Sequence, residues 1–308
     1  MKFQLRFSPL CLALFAGVFS SPVFGAEEVS VTDIPVRVNH FQFGANTSYR
    51  ATTGRFDPYG VYTPLPTGST SSAFMESLST SYRFSKKFES TLSLPIRKSE
   101  VSLPTGSTTT TTVGGASLQS RYHVGGPAHL ILHGGVTTPW SSTSTQTSGN
   151  PSASFSDTDP NYIPGMSFRM GAGVSHTLGR FRAAFDFTDT LPIASDQVPA
   201  DALPGTPAVN IRKGNRIQAT EGLAYTLSNS WSFNGGLQEM WGADTAVAGV
   251  SIVGTASRTF STSLGVGYAL NPDWRFSLSY GTMWPLYSYA ANQSYGPGAS
   301  LGVVFMNL

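Results

Sequence analysis

Apolar residues fall on alternate positions through the stretch Phe260 to Trp284. Phe260, Leu264, Val266, Tyr268 and Leu270 share one parity, and Ser261, Ser263, Gly265, Gly267 and Ala269 the other. A period of two is that of a β-strand, whose successive side chains point to opposite faces. After Asn271-Pro272-Asp273 the apolar parity resumes with Trp274, Phe276, Leu278, Tyr280 and Trp284. Pairing Leu270 with Trp274 sets apolar against apolar across this turn. The apolar face is tipped with Trp, Tyr and Phe at both ends, as expected of a strand that faces lipid and meets two interfaces. The pattern predicts a membrane-spanning hairpin.

The same pattern recurs along the chain. A strand is expected from about Val36 to Thr53, with Phe41, Phe43, Ala45, Thr47 and Tyr49 on one face. A hairpin follows in which Phe74, Leu78, Tyr82 and Phe84 turn through Ser85-Lys86-Lys87 into Phe88, Leu92, Leu94 and Ile96. The next pairs Tyr122 and Val124 with Leu130 and Ala128 across a three-residue turn, Gly125-Gly126-Pro127, which brings His123 opposite His129. Met166 to Leu178 turns at Gly179-Arg180 into Phe181 to Phe187, and Ile217 to Leu227 turns at Ser228-Asn229-Ser230 into Trp231 to Trp241. A last strand, Ala299 to Phe305, is placed to close against the first. Between hairpins lie long stretches rich in Ser, Thr, Pro and Asn, among them 99–112, 141–163 and 192–213, which read as solvated loops. Short turns alternating with long loops predict an all-β, transmembrane, antiparallel up-and-down barrel of about twelve strands.

Composition narrows the class further. A basic start (Lys2, Arg6), an apolar run from Phe7 to Phe19 and a small-residue exit near Gly25 and Ala26 predict a signal peptide over 1–26, with the barrel occupying 27–308. The single cysteine, Cys11, falls inside that leader. Disulfides, thiol nucleophiles and zinc-thiolate sites are thereby excluded from the rest of the chain. The formal charge of +2 falls to 0 without Lys2 and Arg6, so nothing suggests nucleic acid. Only 12% of residues are charged, about half the usual roughly 25%. The expected surroundings are outer-membrane lipid, in a Gram-negative cell, reached through the barrel-assembly machinery.

The parity opposite the apolar one lines the lumen. Its central positions are small (Gly171, Gly173, Gly222, Gly236, Gly265, Gly267, Ser277, Ser279), too small to fill a barrel of this width. Candidate lining residues are Arg83, Glu89, Arg97, Gln119, Arg121, His133, Arg169, Arg182, Asp186 and Gln238. With Arg275 these charges read as a mixed set with a modest cationic excess, pairing across the lumen as Arg83 does with Glu89. The other reading is a constriction that orients anionic or polarised solutes. Glu221 and Glu239 fall on the lipid-facing parity. A bulge could turn them inward, they could lie near an interface, or they could mark a lateral opening. His123 and His129 read as polar lining rather than a metal site, there being no carboxylate beside them. No GxSxG, HExxH or Walker motif is present, so neither catalysis nor a cofactor is expected.

The segments HLILHGGVTTPW, MSFRMGAGVSHTLGRFRAAFDF and SLGVGYALNPDWRFSLSYG resemble hairpins of the outer-membrane proteins grouped as the meta-pathway phenol-degradation family. That resemblance implies passive uptake of small hydrophobic or aromatic solutes. It supplies no catalytic residues. An adhesive surface barrel with partner-binding loops is the alternative function, and a barrel hydrolase a more distant one.

Overall fold

A computed structural model describes residues 40–125, 129–138, 141–149, 166–197, 209–283 and 293–306. Residues 1–39, which include the expected signal peptide, lie outside them, as do Trp284, Tyr287 and Tyr289. Every regular element among the described residues is a β-strand. Twelve of these form the barrel: β1 (Phe41–Thr52), β2 (Thr70–Arg83), β3 (Phe88–Leu103), β4 (Ser117–Gly125), β5 (His129–Thr137), β6 (Ser167–Leu178), β7 (Phe181–Pro192), β8 (Arg216–Thr226), β9 (Trp231–Gly242), β10 (Ser257–Ala269), β11 (Trp274–Met283) and β12 (Pro297–Met306). Each pairs antiparallel with its sequence neighbours, and β12 returns to β1 through Phe43↔Phe305 and Thr47↔Leu301. Closure leaves the barrel wall no open edge, a condition for crossing lipid with strands.

Three of the tight turns share one device. In Phe84 to Phe88, Leu227 to Trp231 and Leu270 to Trp274, the first residue's N–H donates to the last residue's carbonyl at 3.0 Å. The second residue caps the turn with its side chain. Ser85 Oγ and Ser228 Oγ accept from backbone N–H groups at 3.1 to 3.2 Å, and Asn271 Oδ1 does so at 2.8 and 2.9 Å. Short Ser and Asn side chains satisfy a turn's backbone in this way. An aromatic follows at once, and rings pack around this rim: Phe41 on Tyr82 at 4.6 Å, Phe181 on Tyr225 at 4.8 Å, Trp231 on Tyr268 at 4.6 Å and Trp274 on Phe305 at 4.7 Å. Both strand termini, Phe41 and Met306, lie at the same end as these turns.

The wall has no apolar core. Among the described residues only Phe56, Ala224 and Met240 are buried hydrophobics. Neighbours on one strand show the reversal: Ser263 is 4% exposed and Leu264 69%. A soluble sandwich would bury the leucine.

At the loop end the structure departs from expectation. Gly106–Gly114 and Ser141–Gly149, parts of stretches expected to be solvated loops, are strands. Gly106–Gly114 pairs with the outer half of β3 and with Ser141–Gly149. Runs of threonine are β-branched and stiff, and suit a pleated surface even without burial. The barrel register slips by one residue where this hairpin meets the wall: Ile96 faces Val113, whereas Ser93 faces Ser117. Gly114 and Gly115 absorb the slip with φ of 128° and 71°, values that glycine tolerates best. Two smaller sheets crown other loops. One joins Gly54–Phe56, Tyr62–Pro64 and Gln293–Tyr295 around the Phe56, Tyr62 and Tyr295 rings, which meet tilted and edge-on. The other joins Ser195–Gln197 and Val209–Arg212, within the 192–213 stretch expected to be loop, to Ala246–Val247 and Val250–Ser251.

The β4–β5 register is also corrected. Tyr122 faces Leu132 rather than Leu130, and His123 faces Ile131, so His123 and His129 are not opposed. The pairing is offset by two residues from expectation, which keeps each side chain on its expected face, and a one-residue bulge lies between His123 and Gly125. Residues 126–128 of that turn lie outside the described set.

Candidate functional site

The registers place Arg83, Glu89, Arg97, Gln119, Arg121, His133, Arg169, Arg182, Asp186 and Gln238 all on the inward face. Arg83 faces Glu89, as expected, and the row continues through Arg121 to His133 on β5. From there it meets Gly171 on β6. Having no side chain, Gly171 lets the row jump a strand. His133 Nε2 lies 2.8 Å from Asp186 Oδ2 on β7, with the two side chains 5% and 7% exposed. A Cβ on Gly171 would strike the His133 ring and the Phe187 carbonyl oxygen, and one on Gly173 would come within 2.7 Å of Asp186 Oδ2. Thr188 Oγ1 donates to the other carboxylate oxygen, Oδ1, at 2.9 Å. The adjacent glycines were legible as small lumen positions. Their use as a notch for a buried histidine–aspartate contact follows only from the register.

This pair contains two parts of an acyl-transfer constellation, a base and its orienting acid. The third is not assembled: His133 Nδ1 meets no hydrogen-bond partner, so no described hydroxyl is poised against it. Nor do three His, Cys, Asp or Glu side chains converge anywhere among the described residues.

Two inward arginines were missed from sequence. Arg50 is 6% exposed and faces Ala73, and Arg216 faces Thr190. Both lie at strand ends beside loops, where parity is hardest to read. With them the inward face of the twelve strands carries Arg50, Arg83, Arg97, Arg121, Arg169, Arg182, Arg216 and Arg275 against two carboxylates, Glu89 and Asp186. The excess is therefore large rather than modest. No Phe, Tyr or Trp points inward from any of the twelve strands.

The carboxylates missing from the lumen are outside. Glu221 faces Phe185 and Leu237, and Glu239 faces Ala219 and Phe260, in pairings that run without a break across β7 to β10. No bulge turns them inward. Glu76 joins them on the same face of β2, opposite Ile96.

A closed barrel with an apolar exterior, an aromatic rim at its turns and a charged, hydroxyl-lined interior is an outer-membrane β-barrel. Solved structures agree on this class. The COG4313 outer membrane channel from Pseudomonas putida F1 superposes with a TM-score of 0.69 at 12% identity, covering 91% of this chain and 99% of that one. The translocator domain of autotransporter NalP from Neisseria meningitidis gives 0.54 at 11% identity, covering 90% and 92%. The transport unit of autotransporter AIDA-I from Escherichia coli gives 0.53 at 10% identity, covering 91% and 94%. At such identities the likeness is one of fold. No protein-family model and no curated protein matches the chain, so the phenol-degradation resemblance rests on its hairpin sequences alone.

Proposed function

We propose that this protein is a passive channel of the Gram-negative outer membrane for small solutes. The observation that carries this reading is the lining. Side chains fill a barrel of about eight strands, whereas this one has twelve and offers mostly Ser, Thr, Gly, amides and arginine inward. Such a face is stable against water and not against itself, because unpaired polar groups packed together are costly. The family resemblance supports aromatic solutes. The absence of inward aromatic rings from the strands argues that any such solute is held by its polar groups rather than by stacking. Purified protein in liposomes should admit small sugars and amino acids in a swelling assay and should give discrete conductance steps in planar bilayers. Folded protein that does neither would overturn the reading.

One observation favours the alternative of a surface-binding barrel: the Ser- and Thr-rich hairpin of Gly106–Gly114 and Ser141–Gly149 extends the wall beyond β4 and β5. Deleting 106–114 together with 141–149 should leave conductance in place if transport is the function.

A further inference from the structure

Inward charge is unevenly distributed along the lumen. Near the turns, within about two residues of a strand end, Arg83 and Glu89 oppose each other, with Arg182 and Arg275 at the same level on β7 and β11. Arg121 follows, facing Glu89 and His133, and midway sit His133 and Asp186, bound to each other. Toward the loops the inward charges are Arg50, Arg97, Arg169 and Arg216, and no carboxylate shares the inward face of the strands there. Arg169 and Arg216 flank Thr190 in one continuous row across β6, β7 and β8. Arg50 and Arg97 lie two strands apart across β2, one pair out of step, facing Ala73 and Met75.

Among the described loop carboxylates, Asp57 and Asp244 accept from nearby backbone N–H groups and Asp196 from the Asn210 side chain. Asp57 Oδ1 accepts from Tyr59 and Val61 N–H, each at 2.8 Å, and Asp244 Oδ1 from Thr255 and Ala256 N–H at 2.9 and 2.8 Å. Lys213, just before β8, registers the resulting field: its ammonium is held below the ordinary lysine range first by burial and then by Arg216.

We infer that the outer half of the lumen selects anions, and that the solutes admitted are small organic acids carrying a carboxylate. This rests on the channel reading and deepens it. Guanidinium groups stay charged at any physiological pH and match a carboxylate with paired donors. Like-charged walls of low dielectric concentrate the oppositely charged solute. Rings of Arg or Lys are the usual lining of anion pores. The mid-lumen aspartate lies apart from these arginines, its carboxylate oxygens held by His133 and Thr188.

The test is the reversal potential of the purified full-length protein in planar bilayers under a potassium chloride gradient, repeated with acetate in place of chloride. Wild type should pass chloride and acetate more readily than potassium. Arg169→Ser with Arg216→Ser should bring the anion-to-cation ratio toward unity, and Arg50→Ser with Arg97→Ser should act in the same direction. Arg169→Lys with Arg216→Lys should retain the preference. A gel mobility that changes on heating confirms that each variant is folded. Folded protein that never conducts defeats the channel reading itself. Conductance with equal or greater cation passage overturns the anion inference alone. An anion preference untouched by either arginine pair would overturn its assignment to the outer half.

Discussion

The lumen wall from β2 to β7 and the wall from β8 to β12 solve the same packing problem differently. The first carries nearly all the inward charge, including Arg83, Glu89, Arg97, Arg121, Arg169, Arg182 and the His133–Asp186 pair. The second is lined by Ser232, Gln238, Ser261, Ser263, Ser277 and their glycine neighbours, with Arg216 and Arg275 its only inward charges. On the charged side, glycines make room for long side chains from adjacent strands. On the neutral side they oppose hydroxyls, as Gly267 does Ser232 and Gly302 does Ser277. One residue type therefore serves two ends. Replacing Gly171 or Gly173 in the first wall would disturb the His133–Asp186 contact, whereas replacing Gly267 or Gly302 in the second would displace a rotatable hydroxyl.

The largest expected effect separates the two faces of the neutral wall. Leu278→Arg, pointing outward between Val266 and Leu301, should cost about 2–4 kcal/mol, as for a cation near the bilayer midplane. Ser277→Arg, pointing inward on the next residue, should fold nearly as well as wild type. Urea titration in detergent, read by gel mobility, checks both, and equal losses would contradict the assignment of faces. Next comes the contrast of glycines. Gly171→Ala meets a backbone carbonyl and an imidazole, and should cost on the order of 1–3 kcal/mol. Gly267→Ala meets Ser232 Oγ at 2.6 Å, a hydroxyl that can rotate away, and should cost much less. A double-mutant cycle of His133→Ala and Asp186→Ala should give a coupling of roughly 1–3 kcal/mol, against nearly zero for Arg275→Ala with Asp186→Ala.

Smaller effects concern groups outside the lumen. Glu221→Leu should stabilise by about 1 kcal/mol, removing a carboxylate from the lipid face. Glu76→Leu lies nearer the loop end of its strand and should gain less. Smallest is Lys213→Gln. A lysine held below its usual range destabilises the fold while it is protonated, and that cost fades as pH rises through the depressed value toward the ordinary one. The variant should thus gain a few tenths of a kcal/mol at neutral pH, given its partial exposure, and nothing above the lysine range.

Much of the barrel was legible because the outward face obeys one rule. Phe84 with Phe88, Leu227 with Trp231 and Leu270 with Trp274 are forced together by parity and by turn length. The β4–β5 hairpin escaped because Gly125 and Gly126 carry no side-chain parity, so a shift of two residues left the pattern intact. Ser and Thr stretches misled for a related reason: they are equally at home in loops and in exposed strands. The inward excess of arginine was underestimated. Arg50 and Arg216 sit where strands fade into loops, and His133 joins Asp186 across an intervening strand that no local pattern reveals.

The one-residue slip at Gly114 and Gly115 uncouples what lies above the membrane from what lies within it. An insertion or exchange in the threonine hairpin stops at those glycines instead of sliding β4 against β3. Surface sequence can therefore diversify, or be grafted, while the transmembrane staves keep their alignment.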